Sequence, residues 1–317
     1  MGIDLSDTLV IGISATALFD LSEADKVFRD KLEQDRDSAI REYRDFMLQR
    51  EDEALDDGTG MPLVKALLDL NRYRSRDNSV PLVEVVVMSR NSPETGMRVF
   101  NNIRDRGLGI TRHAFTGGES VTSYLEAFSV DLFLTTNQED AQRVRDNNSC
   151  AVALLKEPPK EIEKIPKGQV RIAFDGDAVI FDEQSEIVYK AKGLDSFYEN
   201  ENSKRNIPME EGPYAQLLRK LSRLQDRLPF SVEYSPIRVA IVTARSAPAE
   251  MRVIKTLRAW GVYVDEVFFL GGLDKSKILR AFKAHIFFDD QDIHLDGASN
   301  FIPSAKVPYK SDSALKS

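Results

Sequence analysis

Residues 89–138 of this 317-residue chain align without a gap on residues 243–292, an offset of 154 (243 − 89). Thirteen of the 50 paired positions are identical, among them Met97/Met251, Arg98/Arg252, Gly107/Gly261, Gly117-Gly118/Gly271-Gly272, Phe128/Phe282 and Phe133/Phe287. Ordinary composition, at ~6% identity per site, gives about three. Any two strand–helix–strand units share glycines and apolar periodicity, but not to that extent, so the chain reads as an internal duplication. The first strands correspond too: Ile11-Gly-Ile-Ser14-Ala-Thr16-Ala-Leu18 falls on Ile172-Ala-Phe-Asp175-Gly-Asp177-Ala-Val179. Short apolar runs at Val170–Ala173, Arg238–Thr243, Val267–Leu270 and His285–Phe288 read as buried parallel strands, with a helix over Pro248–Trp260. The pattern predicts an α/β protein of two Rossmann-like lobes, each a parallel sheet flanked by helices on both faces. Lobe boundaries fall at 1–155 and 169–317. Between them, the charged, proline-containing stretch 156–168 reads as a linker.

The two copies differ in where they carry charge. Asp175 and Asp177 end one predicted strand, with Gly176 between them. Thr243 ends the next, Lys275 follows a strand and a glycine pair, and Asp289-Asp290 end another. In open α/β sheets the C-terminal edge is where ligands bind. Two acid pairs placed there are costly unless a divalent metal or phosphate chemistry uses them. A hydroxyl and exposed helix-start amides beside Thr243 suit a phosphate oxygen. Any one of these segments is ordinary as a solvated loop; the four together, in this order, are not.

In this order the segments resemble the motifs of haloacid-dehalogenase-like phosphohydrolases, as Asp175-x-Asp177, Thr243, Lys275 and Asp289-Asp290. Longer runs narrow the resemblance. Phe-Asp175-Gly-Asp177-Ala-Val, Val-Thr243-Ala-Arg245-Ser-Ala, Lys-Gly-Leu-Asp195-Ser-Phe197 and Phe-Phe-Asp289-Asp290-Gln are similar to the cytosolic 5'-nucleotidase type I family. Ile-Ser14-Ala-Thr16-Ala-Leu-Phe, Met88-Ser-Arg-Asn and Thr116-Gly-Gly resemble that family's first half, so the likeness runs from about residue 9 to about residue 309. It implies a haloacid-dehalogenase-like fold in each lobe and Mg²⁺-dependent hydrolysis of nucleoside 5'-monophosphates. Asp175 would attack phosphorus to give an aspartyl-phosphate. Asp177 would protonate the leaving ribose oxygen and then activate water. Thr243 would hold a phosphoryl oxygen, and Lys275 would offset charge. Mg²⁺ would sit on Asp175, the Asp177 carbonyl and Asp289 or Asp290, the oxygen set it prefers. Gly176, Ala244, Arg245, Asp195 and Phe197 are the expected substrate contacts, Phe197 by stacking on a base.

At the positions paired with Asp175, Asp177, Lys275 and Asp289-Asp290 the first copy has Ser14, Thr16, Val121 and Thr135-Thr136. Residues 1–155 therefore read as a lobe without catalytic or metal-binding charge. The 50 or so residues from Gln184 to Ser235 are too long for a plain strand–helix connection, and the resemblance implies a small helical cap over the site. Leu217, Leu218, Leu221 and Leu224 have helical core spacing. Residues 22–57 read as solvated helices, Ser22 with Asp25 as a capping box. Residues after about 309 read as a frayed tail.

Composition bounds the rest. A net charge of −8 and 30% charged residues argue against a nucleic-acid polymer as partner. The single Cys150 excludes an internal disulfide and reads as a small buried hydrophobe in a reducing compartment. No apolar stretch approaches the ~20 residues of a membrane span, and the start lacks the pattern of a signal peptide. The expectation is a cytoplasmic enzyme of nucleotide metabolism, with homo-oligomerisation left open. His113, His285 and His294 lack metal-ligand spacing. His285 is expected to pack at its strand start. Two other readings use the same residues: a phosphatase of sugar or cofactor phosphates, and a non-enzymatic nucleotide sensor.

Overall fold

The computed structural model describes residues 4–32, 35–75, 80–161, 165–229 and 235–316. Part of the expected linker (162–164) and part of the 184–235 excursion (230–234) lie outside them. The first half runs β1 (Leu9–Ile13), α1 (Ala15–Leu18), α2 (Ser22–Leu32), α3 (Arg36–Gln49), α4 (Met61–Asp69), β2 (Val83–Ser89), α5 (Met97–Asp105), β3 (Arg112–Phe115), β4 (Leu132–Thr135), α6 (Gln138–Asn147) and β5 (Ala151–Leu155). The second runs β6 (Val170–Phe174), α7 (Gln184–Ser203), α8 (Ala215–Asp226), β7 (Ile237–Thr243), α9 (Glu250–Ala259), β8 (Glu266–Phe269), α10 (Lys275–Phe282), β9 (Ile286–Asp289), α11 (Asp292–Ala298) and β10 (Ser304–Lys306).

The predicted apolar runs are strands: β6, β7 and β9 are buried at all but one or none of their residues, as β1 and β2 are throughout, whereas β8 at the sheet edge is half-buried. They form one ten-stranded sheet of order β3-β2-β1-β4-β5-β10-β9-β6-β7-β8, flanked by helices, so the fold is α/β. Outward from the middle, β5-β4-β1-β2-β3 is matched by β10-β9-β6-β7-β8. Neighbours within each half are parallel. The seam is antiparallel, Leu155 opposite Ala305 and Leu154 opposite Lys306. Two expected sheets are thus fused edge to edge, which leaves neither β5 nor β10 as an unpaired edge.

The sequence repeat is also a structural one. β2 and β7, β3 and β8, and β4 and β9 coincide residue for residue at the offset of 154. Left-handed backbone recurs at the paired positions Gly107/Gly261, Gly117/Gly271, Gly118/Gly272 and Ser129/Lys283. Gly58 and Gly212 also pair. A Cβ at Gly58 would lie 2.6 Å from the Ala17 carbonyl oxygen, and one at Gly212 would lie 2.2 Å from that of Phe181. Each glycine lets the chain cross the turn behind the first strand of its half.

The halves also exchange packing. Helix α4 touches β2 and β6, and α8 touches β1. Leu217, Leu218, Leu221 and Leu224 on α8 join Leu9, Ile11 and Ile13 of β1 in one apolar core. Of the 184–235 excursion, α8 is therefore core, and α7 is the part that lies over the site. Each buried leucine contributes about 1.5–3 kcal/mol, and a whole domain's margin is about 5–15 kcal/mol. A fragment starting at residue 160 is accordingly expected to show no cooperative urea transition by tryptophan fluorescence (Trp260); a sharp one would mean that the second half stands alone.

Two peripheral readings meet the structure differently. The expected frayed tail is bound. Ser311 donates through its N–H and hydroxyl to Asp146 of α6 at 2.8 and 2.7 Å, and Gln142 donates to the Tyr309 carbonyl at 3.0 Å. His285 packs as expected, its Nδ1 accepting the Arg171 N–H at 3.0 Å. Burial presses its pKa down to about 4, from 6.5. A neutral imidazole therefore favours the fold. That stability is complete above pH 6.5 and is lost as pH falls through about 4, amounting to about 3 kcal/mol. His285→Asn keeps an acceptor and removes the titration, so its urea midpoint should vary less between pH 4 and 7 than the wild-type one. An equal slope would remove His285 from the acid response.

Candidate active site

At the C-terminal edge of β6 the chain turns through Gly176–Ile180, with Ala178 in left-handed conformation (φ +58°). That turn separates the two acids. Asp175 points inward, its Oδ1 2.8 Å from Lys275 Nζ. Lys275, the first residue of α10, also donates to Asp289 Oδ2 at 2.7 Å. Asp175, Asp289 and Asp290 bring carboxylate oxygens within 4.8 Å of one another, and all three residues are buried. A Cβ at Gly176 would sit 3.3 Å from the Cβ and Oγ1 of Thr243, so the glycine admits the threonine to the same spot. Thr243 Oγ1 accepts the Arg245 N–H at 3.2 Å.

Three carboxylates and one ammonium leave two negative charges in a place water hardly reaches. Burial, countered in part by Lys275, raises the Asp175 pKa to about 6. Asp289 is raised by burial against Lys275. Asp290 is pushed well above its ordinary value by burial and by the charges of Asp175 and Asp289. Lys275, despite burial, is held higher by Asp175 and Asp289. The two acids of β9 are not equivalent. Both oxygens of Asp289 are engaged, Oδ1 by the Gln291 N–H at 2.8 Å and Oδ2 by Lys275. Asp290 Oδ2 accepts the Tyr309 hydroxyl, and its Oδ1 is buried with no partner among the described residues. An orphaned carboxyl oxygen beside two further acids is a donor set that fits a hard divalent cation, whose charge would offset the crowding of the three.

Asp177 faces elsewhere. Arg245 grips it in two bonds, Nε to Oδ2 at 2.9 Å and Nη2 to Oδ1 at 2.6 Å. The third nitrogen of that guanidinium reaches Glu201 of α7, which is fully buried and also accepts from Arg252 at 2.9 Å and Ser185 at 2.9 Å. Phe197 lies 5.3 Å beneath the Arg245 guanidinium, so its ring is used inside the protein. Tyr198 shares a 2.7 Å hydrogen bond with Ser246. Ala244 is exposed beside Thr243, and Asp195 is exposed on α7. The structure thus gathers Asp175, Gly176, Thr243, Lys275, Asp289 and Asp290, and sets Asp177, Arg245 and Phe197 in an adjoining group. Sequence reading passed over Glu201, Arg252 and Tyr309. For Arg252 a signal existed, since it is identical to Arg98 in the repeat and both arginines are buried.

A cleft of about 500 Å³ opens between the halves, lined by Arg145, Cys150, Asp182, Glu211 and Lys310, and meets the Asp177 turn at Ala178. Asp175, Lys275, Asp289 and Asp290 do not line it, so the acids and not the cleft define the site. Burial pushes the Cys150 thiol up to about 12, which fits a packing role. In the first half the paired edge holds hydroxyls bonded to each other, Ser14 to Thr16 at 3.1 Å and Thr16 to Thr136 at 2.5 Å.

Fold and site together describe an α/β protein whose duplicated sheet carries one charged, lysine-anchored edge. The comparisons agree: residues 1–314 match the family model for 5'-nucleotidase, and human cytosolic 5'-nucleotidase 1B is 35% identical over 298 residues. The chain belongs to the 5'-nucleotidase family. The aligned region is 92% of this chain and 47% of the human protein, so the chain spans about half the length of that relative. No solved structure matches. Among the described residues no helix is long and apolar enough to cross a membrane.

Proposed function

We propose that the chain hydrolyses nucleoside 5'-monophosphates to nucleoside and phosphate, with Mg²⁺ and through an aspartyl-phosphate on Asp175. The observation that carries this reading is the buried triad Asp175, Asp289, Asp290 around Lys275, with the orphaned Oδ1 of Asp290. Asp175, Asp290 and the Asp177 carbonyl are the groups that would hold the cation, while Asp289 serves chiefly to fix Lys275. Bound there, Mg²⁺ supplies charge neutralisation between carboxylate and phosphate.

The chain's own residues do the remaining work. Asp175 is the nucleophile: its carboxylate oxygen bonds to phosphorus as the phosphorus–ribose oxygen bond breaks. Lys275 holds that carboxylate in place and offsets phosphoryl charge, and Thr243 donates its hydroxyl to a phosphoryl oxygen. Asp177 gives a proton to the departing ribose oxygen and later takes one from the water that cleaves the acyl-phosphate. Arg245 grips Asp177 in two bonds, and that grip has to loosen for Asp177 to reach the departing oxygen. The first half, with hydroxyls where the second has acids, is a non-catalytic partner that completes the core. A cytosolic setting is in keeping with the name of the human relative.

The test is phosphate release from AMP, IMP, GMP, CMP, UMP and dTMP, each with Mg²⁺ and with excess chelator. Metal-dependent release with a nucleotide preference is expected. Release only from sugar phosphates or aryl phosphates would keep the mechanism and discard the substrate class. Release unaffected by chelator would remove the metal from the account.

A further inference from the structure

Asp290 is oriented from the other half of the molecule. After β10 the Val307 N–H donates to the Asp289 carbonyl at 2.9 Å, and the chain then runs along α6 of the first half. Arg145 Nε donates to the Pro308 carbonyl at 3.0 Å and Gln142 Nε2 to the Tyr309 carbonyl at 3.0 Å. Two residues on, Ser311 is held twice by Asp146. The anchors at Pro308, Tyr309 and Ser311 come from α6, and they pin the main chain on both sides of the Tyr309 side chain. The Tyr309 hydroxyl, so placed, donates to Asp290 Oδ2 and leaves Oδ1 buried with no partner among the described residues.

We propose that Tyr309, held by α6, is a positioning residue for the divalent cation, so that the half lacking metal-binding acids sets part of the metal affinity of the half that has them; this rests on the metal-site reading above. A carboxylate with one oxygen tied by a donor has its plane fixed, and the second oxygen then faces the cation without a search over rotamers. A phenol suits the task because it is a neutral donor. An ammonium or guanidinium in its place would bring a positive charge that competes with the ion. Outer hydrogen-bond partners of this kind are typically worth 10–100-fold in metal affinity.

The experiment is a calorimetric Mg²⁺ titration of the full chain, without substrate, on wild type, Tyr309→Phe and Asp146→Ala. Tyr309→Phe removes only the hydroxyl and should weaken Mg²⁺ binding by about 10–100-fold. Asp146→Ala touches none of the acids and should weaken it in the same direction by less. The metal-induced rise in the unfolding midpoint should shrink in the same order, which separates metal affinity from general stability. Equal affinities for wild type and Tyr309→Phe would overturn the proposal while leaving the metal site intact. A loss in Tyr309→Phe with none in Asp146→Ala would keep the tyrosine and overturn the part assigned to α6. No binding by the wild type would instead sink the metal-site reading itself.

Discussion

An Asp175→Asn protein is expected to fold as the wild type does and to lose nucleotide hydrolysis by roughly 10⁴–10⁶-fold in kcat, the scale on which removing a covalent nucleophile acts. The amide offers no comparable nucleophile, because its nitrogen lone pair is delocalised and its oxygen carries no full charge. The fold should survive, since burial of the Asp175 charge is an expense that the amide avoids, and Lys275 keeps Asp289 as partner. The matched control is Ser14→Ala at the paired position of the first half. The Ser14 hydroxyl bonds only Thr16 and the Ala17 N–H among the described residues, so turnover should be unchanged. Phosphate release by Asp175→Asn at a rate near wild type would move the nucleophile off this residue and abandon the aspartyl-phosphate route.

The second large effect lies in stability. Glu201 is fully buried and accepts from Arg245 and Arg252. The side chains of both arginines are almost completely buried as well, at 1% and 10% exposure. Glu201→Ala would leave Arg245 with the Asp177 carboxylate alone and Arg252 with the Ile207 carbonyl and no bonded carboxylate among the described residues, and breaking a buried pair from one side costs about 3–5 kcal/mol. The urea midpoint should fall accordingly. Glu201→Gln, which still accepts one bond from Ser185, should fall less. A loss below about 1 kcal/mol for the alanine variant would mean that the arginines find other partners, and that the network is not what holds α7 over β7.

Strand positions were legible because β6, β7 and β9 are largely buried and so read as apolar runs, broken only by Arg171 and Arg238, that end at Asp175, Thr243 and Asp289. The repeat added register: pairing Thr135 with Asp289 by sequence also pairs them in the two copies of the fold. Other features were out of reach for a physical reason. The seam of β5 and β10 is made by two short edge strands, and neither carries a mark of which edge it will meet. The leucine spacing of α8 marked it as core, but nothing local says that the core it joins is that of β1, more than 200 residues earlier in the chain. Glu201 sits in a run of polar residues, Tyr198-Glu-Asn-Glu-Asn, whose composition resembles that of a solvated face. Its burial follows from two arginines supplied by the β7–α9 region. Tyr309 follows a proline near the end of the chain and gains its role only from the distant α6.

The antiparallel seam has a consequence for how the molecule behaves on dilution. One half meeting the other through the same edge strand, running the opposite way, has the form of the isologous contact found in twofold-symmetric dimers. A dimer of separate halves would be subject to mass action, losing its shared core as concentration fell. Carried on one polypeptide, the same contact is governed by an effective concentration set by the short stretch between β5 and β6, and no dilution can lower it. It also frees the halves from identity. In a symmetric dimer each substitution appears twice, at both edges of the sheet, whereas here Ser14 and Asp175 occupy matching places with different chemistry.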